Sequence, residues 1–269
     1  AHVVRCFVDE NVVHVDGSVD PVRDVEVIDT ELMLADLETV EKRIERTAKA
    51  AKASGKAGDK AKAELAVLER LQTHFNEGKP ARTIQLNDDE SLIARDLHLI
   101  TRKPVIYVGN VSEEHAASPT DSEAFNELSQ LAESQGAELL AVSAAIEAEV
   151  AQLDADEATE YLESMGLEEP GLHRIIKAGY ATLGLITYLT AGPKEARAWP
   201  IREGTKAPQA AGVIHTDFER GFIKAEVMRW EDLAEFKDEA AVKQAGKLRI
   251  EGKEYVVHDG DVMHFRFNV

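Results

Sequence analysis

Two continuous apolar runs, Pro104-Val-Ile-Tyr-Val-Gly109 and Glu138-Leu-Leu-Ala-Val142, constrain the fold of this chain more than any other feature. A strand with one wet face alternates apolar and polar residues; a strand covered on both faces does not. Neither run alternates, and each is followed by a helical pattern. Phe125, Leu128 and Leu131 mark one helix, stopped at Gly136, and two further helical stretches cover 154–165 and 171–183. The opening run, AHVVRCFV, reads as a third buried strand. Strand, helix, strand, helix of this kind predicts an α/β fold, a parallel sheet with helices on both faces.

Between the first and second strands the period changes to that of a helix. From Pro21, Val25, Ile28, Leu32 and Ala35 recur at three- and four-residue spacing, and the pattern runs on through Val40 and Ile44 until Ser54, Gly55 and Gly58 break it. A second helix carries Leu65, Leu68, Leu71 and Phe75 before Gly78 and Pro80 stop it. These form an antiparallel pair with a short Gly/Lys turn at its tip. Asn87 and Glu90 have the spacing of a capping box and start a third helix through Leu92, Ile93 and Leu97.

Charge is distributed unevenly over these elements. The net charge is −19, which argues against a general nucleic-acid coat. Yet residues 42–62 hold eight basic side chains against two acids, so this segment is +6 and the remainder −25. A basic arm on an acidic body suits a selective RNA contact; a solvated helix surface is the alternative. Cys6 is the single cysteine, which excludes an internal disulfide and fits a reducing compartment; a buried strand thiol accounts for it. No apolar run approaches the roughly 20 residues that span a bilayer, and the first residues lack a signal-peptide pattern.

After about Leu185 strands become short and Gly and Pro more frequent, as in a separate small α+β domain. Tyr255-Val-Val-His-Asp-Gly-Asp-Val-Met-His-Phe reads as a hairpin around Asp259-Gly260. His258, Asp261 and His264 could ligate a metal, but the turn chemistry of Asp-Gly explains the segment without one.

Open α/β sheets bind ligands at the carboxyl ends of their strands. Two loops stand there, Asn110-Val111-Ser112-Glu113 and Ser143-Ala144-Ala145. An Asn amide can donate and accept at a purine edge, and a small Ser-Ala-Ala turn allows backbone N–H groups close to a ring. Read by themselves, such loops are also ordinary polar strand ends.

The order of strand, inserted helical pair, Asn-x-x-Glu loop and Ser-Ala-Ala loop is similar to that of the YchF branch of Obg-like P-loop hydrolases. Three later segments, Thr190-Ala-Gly-Pro-Lys-Glu-Ala-Arg-Ala-Trp199, Gly204-Thr-Lys-Ala-Pro-Gln-Ala-Ala-Gly212 and Ile214-His-Thr-Asp-Phe-Glu-Arg-Gly-Phe222, resemble that family's TGS domain, a ubiquitin-like β-grasp module. The resemblance implies a partial nucleotide-binding domain over 1–30 and 99–184, an inserted helical domain over 31–98 and a TGS domain over 185–269. It also implies a cytoplasmic, ribosome-associated ATPase, monomeric and in contact with RNA of the large subunit. Related GTPases read guanine with Asn-Lys-x-Asp; Glu113 replaces that Asp here, and the family accordingly favours ATP over GTP. Asn110, Val111, Glu113, Ser143, Ala144 and Ala145 would surround the base. Lys42, Arg46, Lys49, Lys52 and Lys56 would reach RNA, and His14, in the loop after the first strand, would stand near the reacting phosphate as the catalytic residue.

The family's phosphate loop, Gly-x-x-x-x-Gly-Lys-[Ser/Thr], is not in these residues, nor are the metal-coordinating switch and the Asp-x-x-Gly loop. Gly55-Lys56 and Gly246-Lys247 lack the partner glycine and the hydroxyl. ATP or GTP with Mg²⁺ would therefore be complete only in a longer protein, with roughly one hundred residues expected upstream of the abrupt first strand. Taken alone, the chain is expected not to hydrolyse nucleotide; the alternative function is a non-hydrolysing ribosome-binding adaptor.

Overall fold

The computed structural model describes residues 1–9, 17–192 and 195–268, which divide into two compact units, Ala1–Ala178 and Gly179–Val269. In the first unit β1 (His2–Arg5) is followed by the long helices α1 (Pro21–Ala50) and α2 (Lys56–Asn76) and by the short α3 (Asp88–Asp96). The chain then returns through β2 (Ile106–Asn110), α4 (Glu123–Gln135), β3 (Glu138–Val142), α5 (Ala144–Val150), α6 (Ala155–Ser164) and α7 (Gly171–Thr182), the boundary between the units falling within α7 after Ala178. The three strands form a parallel sheet in the order β1-β2-β3, with Val4 opposite Gly109 and Asn110 opposite Val142.

Both faces of this sheet are covered, as the unalternating runs require. Val4, Tyr107 and Ala141 pack with Val25 of α1 and Phe125, Leu128 and Ala132 of α4. Val108 and Val142 face the other way, toward Ile175 and Ala178 of α7. Gly109 is fixed by close packing: a Cβ there would lie 2.8 Å from the Phe125 ring. At the end of α4, Gly136 takes the left-handed conformation (φ 62°) that terminates a helix without Cβ strain.

Helices α1 and α2 form the expected antiparallel pair. Asp20 caps α1, its carboxylate accepting from the Arg23 N–H, and Pro21 stands at the first turn. The apolar stripe read from the sequence is only partly the buried one. Ile28 is exposed, and the buried face of α1 runs Val25, Asp29, Met33, Asp36, Val40. Two aspartates thus occupy core positions, each with partners distant in sequence. Asp29 Oδ2 accepts from Arg82 Nη2 at 2.7 Å, and Arg82 also donates to Gln135 Oε1 at 2.8 Å. Asp36 accepts from the Ile100 and Thr101 N–H groups and the Thr101 hydroxyl, at 2.7–2.8 Å. The third helix starts on the capping box predicted at Asn87 and Glu90.

The second unit comprises β4 (Leu185–Ala191), β5 (Ala196–Arg202), α8 (Ala207–Ile214), α9 (Thr216–Arg220), β6 (Phe222–Arg229), α10 (Trp230–Phe236), α11 (Glu239–Gln244), β7 (Arg249–Glu251) and β8 (Asp261–Phe267). Its sheet order is β5-β4-β8-β6-β7, with β8 parallel to β4 and the other pairs antiparallel. A chain-terminal strand inserted between two earlier strands, with a helix across the sheet, is the β-grasp arrangement. Tyr188, Ile201, Val227 and Met263 form the core with Ala207, Ala210 and Ala211 of α8.

The hairpin expected around Asp259-Gly260 is not formed. Residues 255–258 do not pair with β8, whose neighbours are β4 and β6. The local turn is real, with Asp261 N–H donating to His258 O at 3.2 Å. Its polar groups, however, are spent elsewhere: Asp259 Oδ1 and the Gly260 N–H bond to the Thr187 backbone, and Asp261 accepts from the Tyr255 hydroxyl at 2.6 Å. Alternation and a DG pair specify a turn; they do not specify which strand is adjacent. His264 bonds Glu239 at 2.8 Å, away from that turn.

Candidate functional site

The carboxyl ends of β2 and β3 lie side by side because those strands are parallel and in register, Asn110 opposite Val142. Asn110 joins the two loops that follow them. Its Oδ1 accepts from the Ala144 N–H at 3.0 Å, while its backbone carbonyl accepts from the Cys6 N–H at 2.8 Å. The Val111 N–H donates to Val142 O at 2.9 Å, and Val111 is buried at 2 % exposure. Val111 is therefore a peg beneath the loop, and Asn110 is the brace between loops.

Past this brace the surface opens. Ala144 and Ala145 are exposed, whereas Ser143 is buried and its Oγ finds no hydrogen-bond partner among the described residues. A buried hydroxyl without a partner costs roughly 1–3 kcal/mol, and this one lies beneath the surface of the loop. Ser143 sits in the N-cap position of α5 without making a side-chain cap bond. Behind it, Glu147 accepts from the Gly171 and Leu172 N–H groups at 2.6 and 3.1 Å, anchoring α5 to the start of α7.

Glu113 begins a 3-10 turn, Glu113–His115, and is exposed. A hydrogen bond to Glu149 pushes the Tyr161 hydroxyl up to about 12, with burial, the Glu149 charge and then the Glu113 charge adding to it. Ser112 Oγ and His115 Nδ1 lie 2.8 Å apart and stiffen the same turn. Next to the brace, an apolar hollow of about 630 Å³ opens on the sheet face, lined by Val3, Val108, Asn110, Val142, Ala144 and Leu172 among others.

Of the six residues expected around a base, Asn110, Ser143, Ala144 and Ala145 stand at the joined strand ends, Val111 is buried beneath them, and Glu113 is exposed on the next turn. Those expected to touch RNA are separate from them: Lys42, Arg46, Lys49, Lys52 and Lys56 are all exposed around the far end of the helical pair. Lys42 is tied to Glu38 one turn back. His14 lies outside the described residues. Among the described residues no group of three or more His, Cys, Asp or Glu side chains could hold a metal ion. Cys6, adjacent to the brace, is buried, and burial pushes its thiol up to about 12.

Sequence reading missed Glu147 and Arg82, which organise this unit from a distance. Their partners are 24 and 53 residues away, and no periodicity links them.

Comparison with known proteins places these features in a family. Residues 185–268 match the family model YchF-GTPase_C, described as "Protein of unknown function (DUF933)". The "Ribosome-binding ATPase YchF" of Bacillus subtilis (strain 168) is 50 % identical over 268 residues, covering 100 % of this chain and 72 % of that protein. The "Obg-like ATPase 1" of Oryza sativa subsp. japonica is 43 % identical over 268 residues, 100 % of this chain and 67 % of its own length. Among solved structures, that of the Schizosaccharomyces pombe YchF GTPase superposes with a TM-score of 0.86 at 38 % identity, covering 98 % of this chain and 71 % of the other.

Proposed function

Since the chain belongs to the YchF family of Obg-like ATPases, we propose that it forms the base-reading and ribosome-contacting part of a nucleotide hydrolase that prefers ATP to GTP. The observation that carries this is the Asn110–Ala144 brace at 3.0 Å, which joins two loops beside an open Ala-Ala surface. Guanine selection needs a carboxylate accepting two N–H groups from one base edge. Glu113, one methylene longer than Asp and exposed on its 3-10 turn, stands in place of that carboxylate. Adenine offers no such pair of donors, so the loop favours it. Ala144 and Ala145 flank the ring, while Val111 and Ser143, both buried, support the two loops from below.

In this reading residues 1–30 and 99–184 are the nucleotide-binding portion, 31–98 the helical insertion and 185–269 the TGS domain. The matched segment covers 72 % of the Bacillus subtilis relative, and this reading assigns the phosphate loop, Mg²⁺ ligands and hydrolysis to sequence outside these residues. His14 is the proposed catalytic group. The partner is the large ribosomal subunit, approached in the cytoplasm by a monomer through RNA contacts of Lys42, Arg46, Lys49, Lys52 and Lys56.

Saturation-transfer NMR of adenosine and guanosine on this chain tests base selection without the phosphates. Adenosine should give the stronger signal, and Asn110→Ala should remove it. Equal signals from both nucleosides would rule the base assignment out.

A further inference from the structure

A second basic feature lies away from both the base loops and the tip of the helical pair. The last turn of α3 and the 3-10 turn Ile100–Arg102 enclose a hollow of about 270 Å³ lined by Ala94, Arg95, His98, Leu99, Arg102 and Lys103. His98 makes the reversal possible by taking the left-handed region, φ 52°, which few non-glycine residues occupy. The turn brings Arg95 to the same opening as Arg102 and Lys103. Its floor is apolar, Ala94 and Leu99 being 0 and 3 % exposed.

No acid lines this hollow. Among the described residues, Arg95, His98, Arg102 and Lys103 make no ion pair, while Arg43, Arg70, Arg82 and Lys177 of the same unit each have a carboxylate partner. The nearby Asp36 carboxylate is committed to the Ile100 and Thr101 backbone. One basic residue in the last turn of α3 is what the helix dipole favours, and Arg95 meets that need. Arg102, Lys103 and the strained His98 are not explained by it. In a chain of net charge −19, an uncompensated basic group of this density marks an anion contact.

We propose that this hollow binds a backbone phosphate of RNA. The guanidinium groups offer forked donors that match phosphate oxygens. The space is below the roughly 300–1,000 Å³ of small-molecule pockets, and its cations are at the rim, as suits a phosphate that is part of a polymer. Position along the helical pair agrees. Asp36, which holds the turn to α1, is 14 residues before Ala50, or about 21 Å from the tip at 1.5 Å per residue. The hollow is therefore a contact additional to the tip lysines.

The test is the salt dependence of binding of a fluorescein-labelled oligouridine to this chain by anisotropy. Single-stranded RNA loses a slope of about 0.7 in log K against log salt per phosphate contact. R95Q/K103Q should remove this one phosphate contact and lower the slope by about 0.7, and R102Q alone should lower it by at most the same amount, each with unchanged melting of the fold. K49Q/K52Q is the reference. Loss in the hollow variants with none in the tip pair would support the hollow and remove the tip contact from the proposed function. Slopes equal to the parent's in both hollow variants would overturn the proposal. So would saturable binding of inorganic phosphate that R95Q/K103Q abolishes while oligouridine binding stays unchanged, since the site would then take a small free anion. R102Q decides the matter should the double variant fail to fold.

Discussion

Breaking the buried Asp29–Arg82 pair should destabilise Ala1–Ala178 far more than replacing both residues together. The pair joins α1 to the segment after α2, with Arg82 Nη2 2.7 Å from Asp29 Oδ2, and each side chain is 12 % exposed. Removing one partner of a buried pair costs roughly 3–5 kcal/mol because the other charge is stranded. The residual exposure lets water reach the stranded group, so about 2–3 kcal/mol is expected for D29L or R82M. In D29L/R82M no charge is stranded, and the Tyr107 hydroxyl still donates to Gln135 Oε1 at 2.9 Å. That variant should lose only about 1–2 kcal/mol, a non-additivity of about 3 kcal/mol. Urea unfolding followed by far-UV circular dichroism reads the helices. Tryptophan fluorescence reads Gly179–Val269 separately, since both tryptophans, Trp199 and Trp230, lie there. With a urea slope near 2–3 kcal/mol per molar, each single variant moves the dichroism midpoint by about 1 M. A double variant as unstable as the sum of the singles would refute the reasoning.

Three further outcomes follow from particular contacts. Gly109→Ala should cost about 1–3 kcal/mol by overpacking against Phe125, which a Cβ would meet at 2.8 Å, and G109A/F125L should recover part of it in the same urea assay. Cys6 should resist a thiol reagent at pH 8 in the native chain and react once it unfolds, because burial holds its thiol up to about 12 from an ordinary 9.0. The same shift means the native state binds more protons than the unfolded one between those values, so stability should fall as pH rises through that window; a chemical-denaturation midpoint rising from pH 9 to 11 would contradict it. Asp36→Ala leaves the Thr101 N–H and hydroxyl without acceptors at a residue 1 % exposed, and should cost about 3 kcal/mol; native hydrogen exchange at Thr101 would report the opening.

What the sequence made legible was whatever depends on neighbours in the chain. The parallel sheet followed from strands that do not alternate, the helical pair from its period and glycine breaks, and the α3 start from one Asn and one Glu. The errors share a different cause. Ile28 fits an apolar stripe and is exposed; Asp29 and Asp36 do not fit and are buried. Burial of a carboxylate is decided by whether donors reach it, and here the donors are Arg82 and the 100–101 backbone, more than 50 residues later. The false hairpin at Asp259-Gly260 has the same origin, since β8 enters between β4 and β6 rather than beside the segment before it.

The candidate site divides along that same line. The loops Asn110–Glu113 and Ser143–Ala145 were visible because they follow apolar strands. The bond that makes them one site, Asn110 to the Ala144 N–H, exists only because β2 and β3 run parallel and in register. One residue of register slip would turn Asn110 to the other face of the sheet. The base recognition proposed for these loops therefore depends on the packing that fixes the register: Gly109 admitting Phe125 on one face, Val108 and Val142 under α7 on the other. A change at Gly109, which faces away from the base loops, should accordingly weaken nucleoside binding as well as the fold. Retention of full adenosine binding by a folded G109A chain would show that the brace tolerates displacement of the strand beneath it.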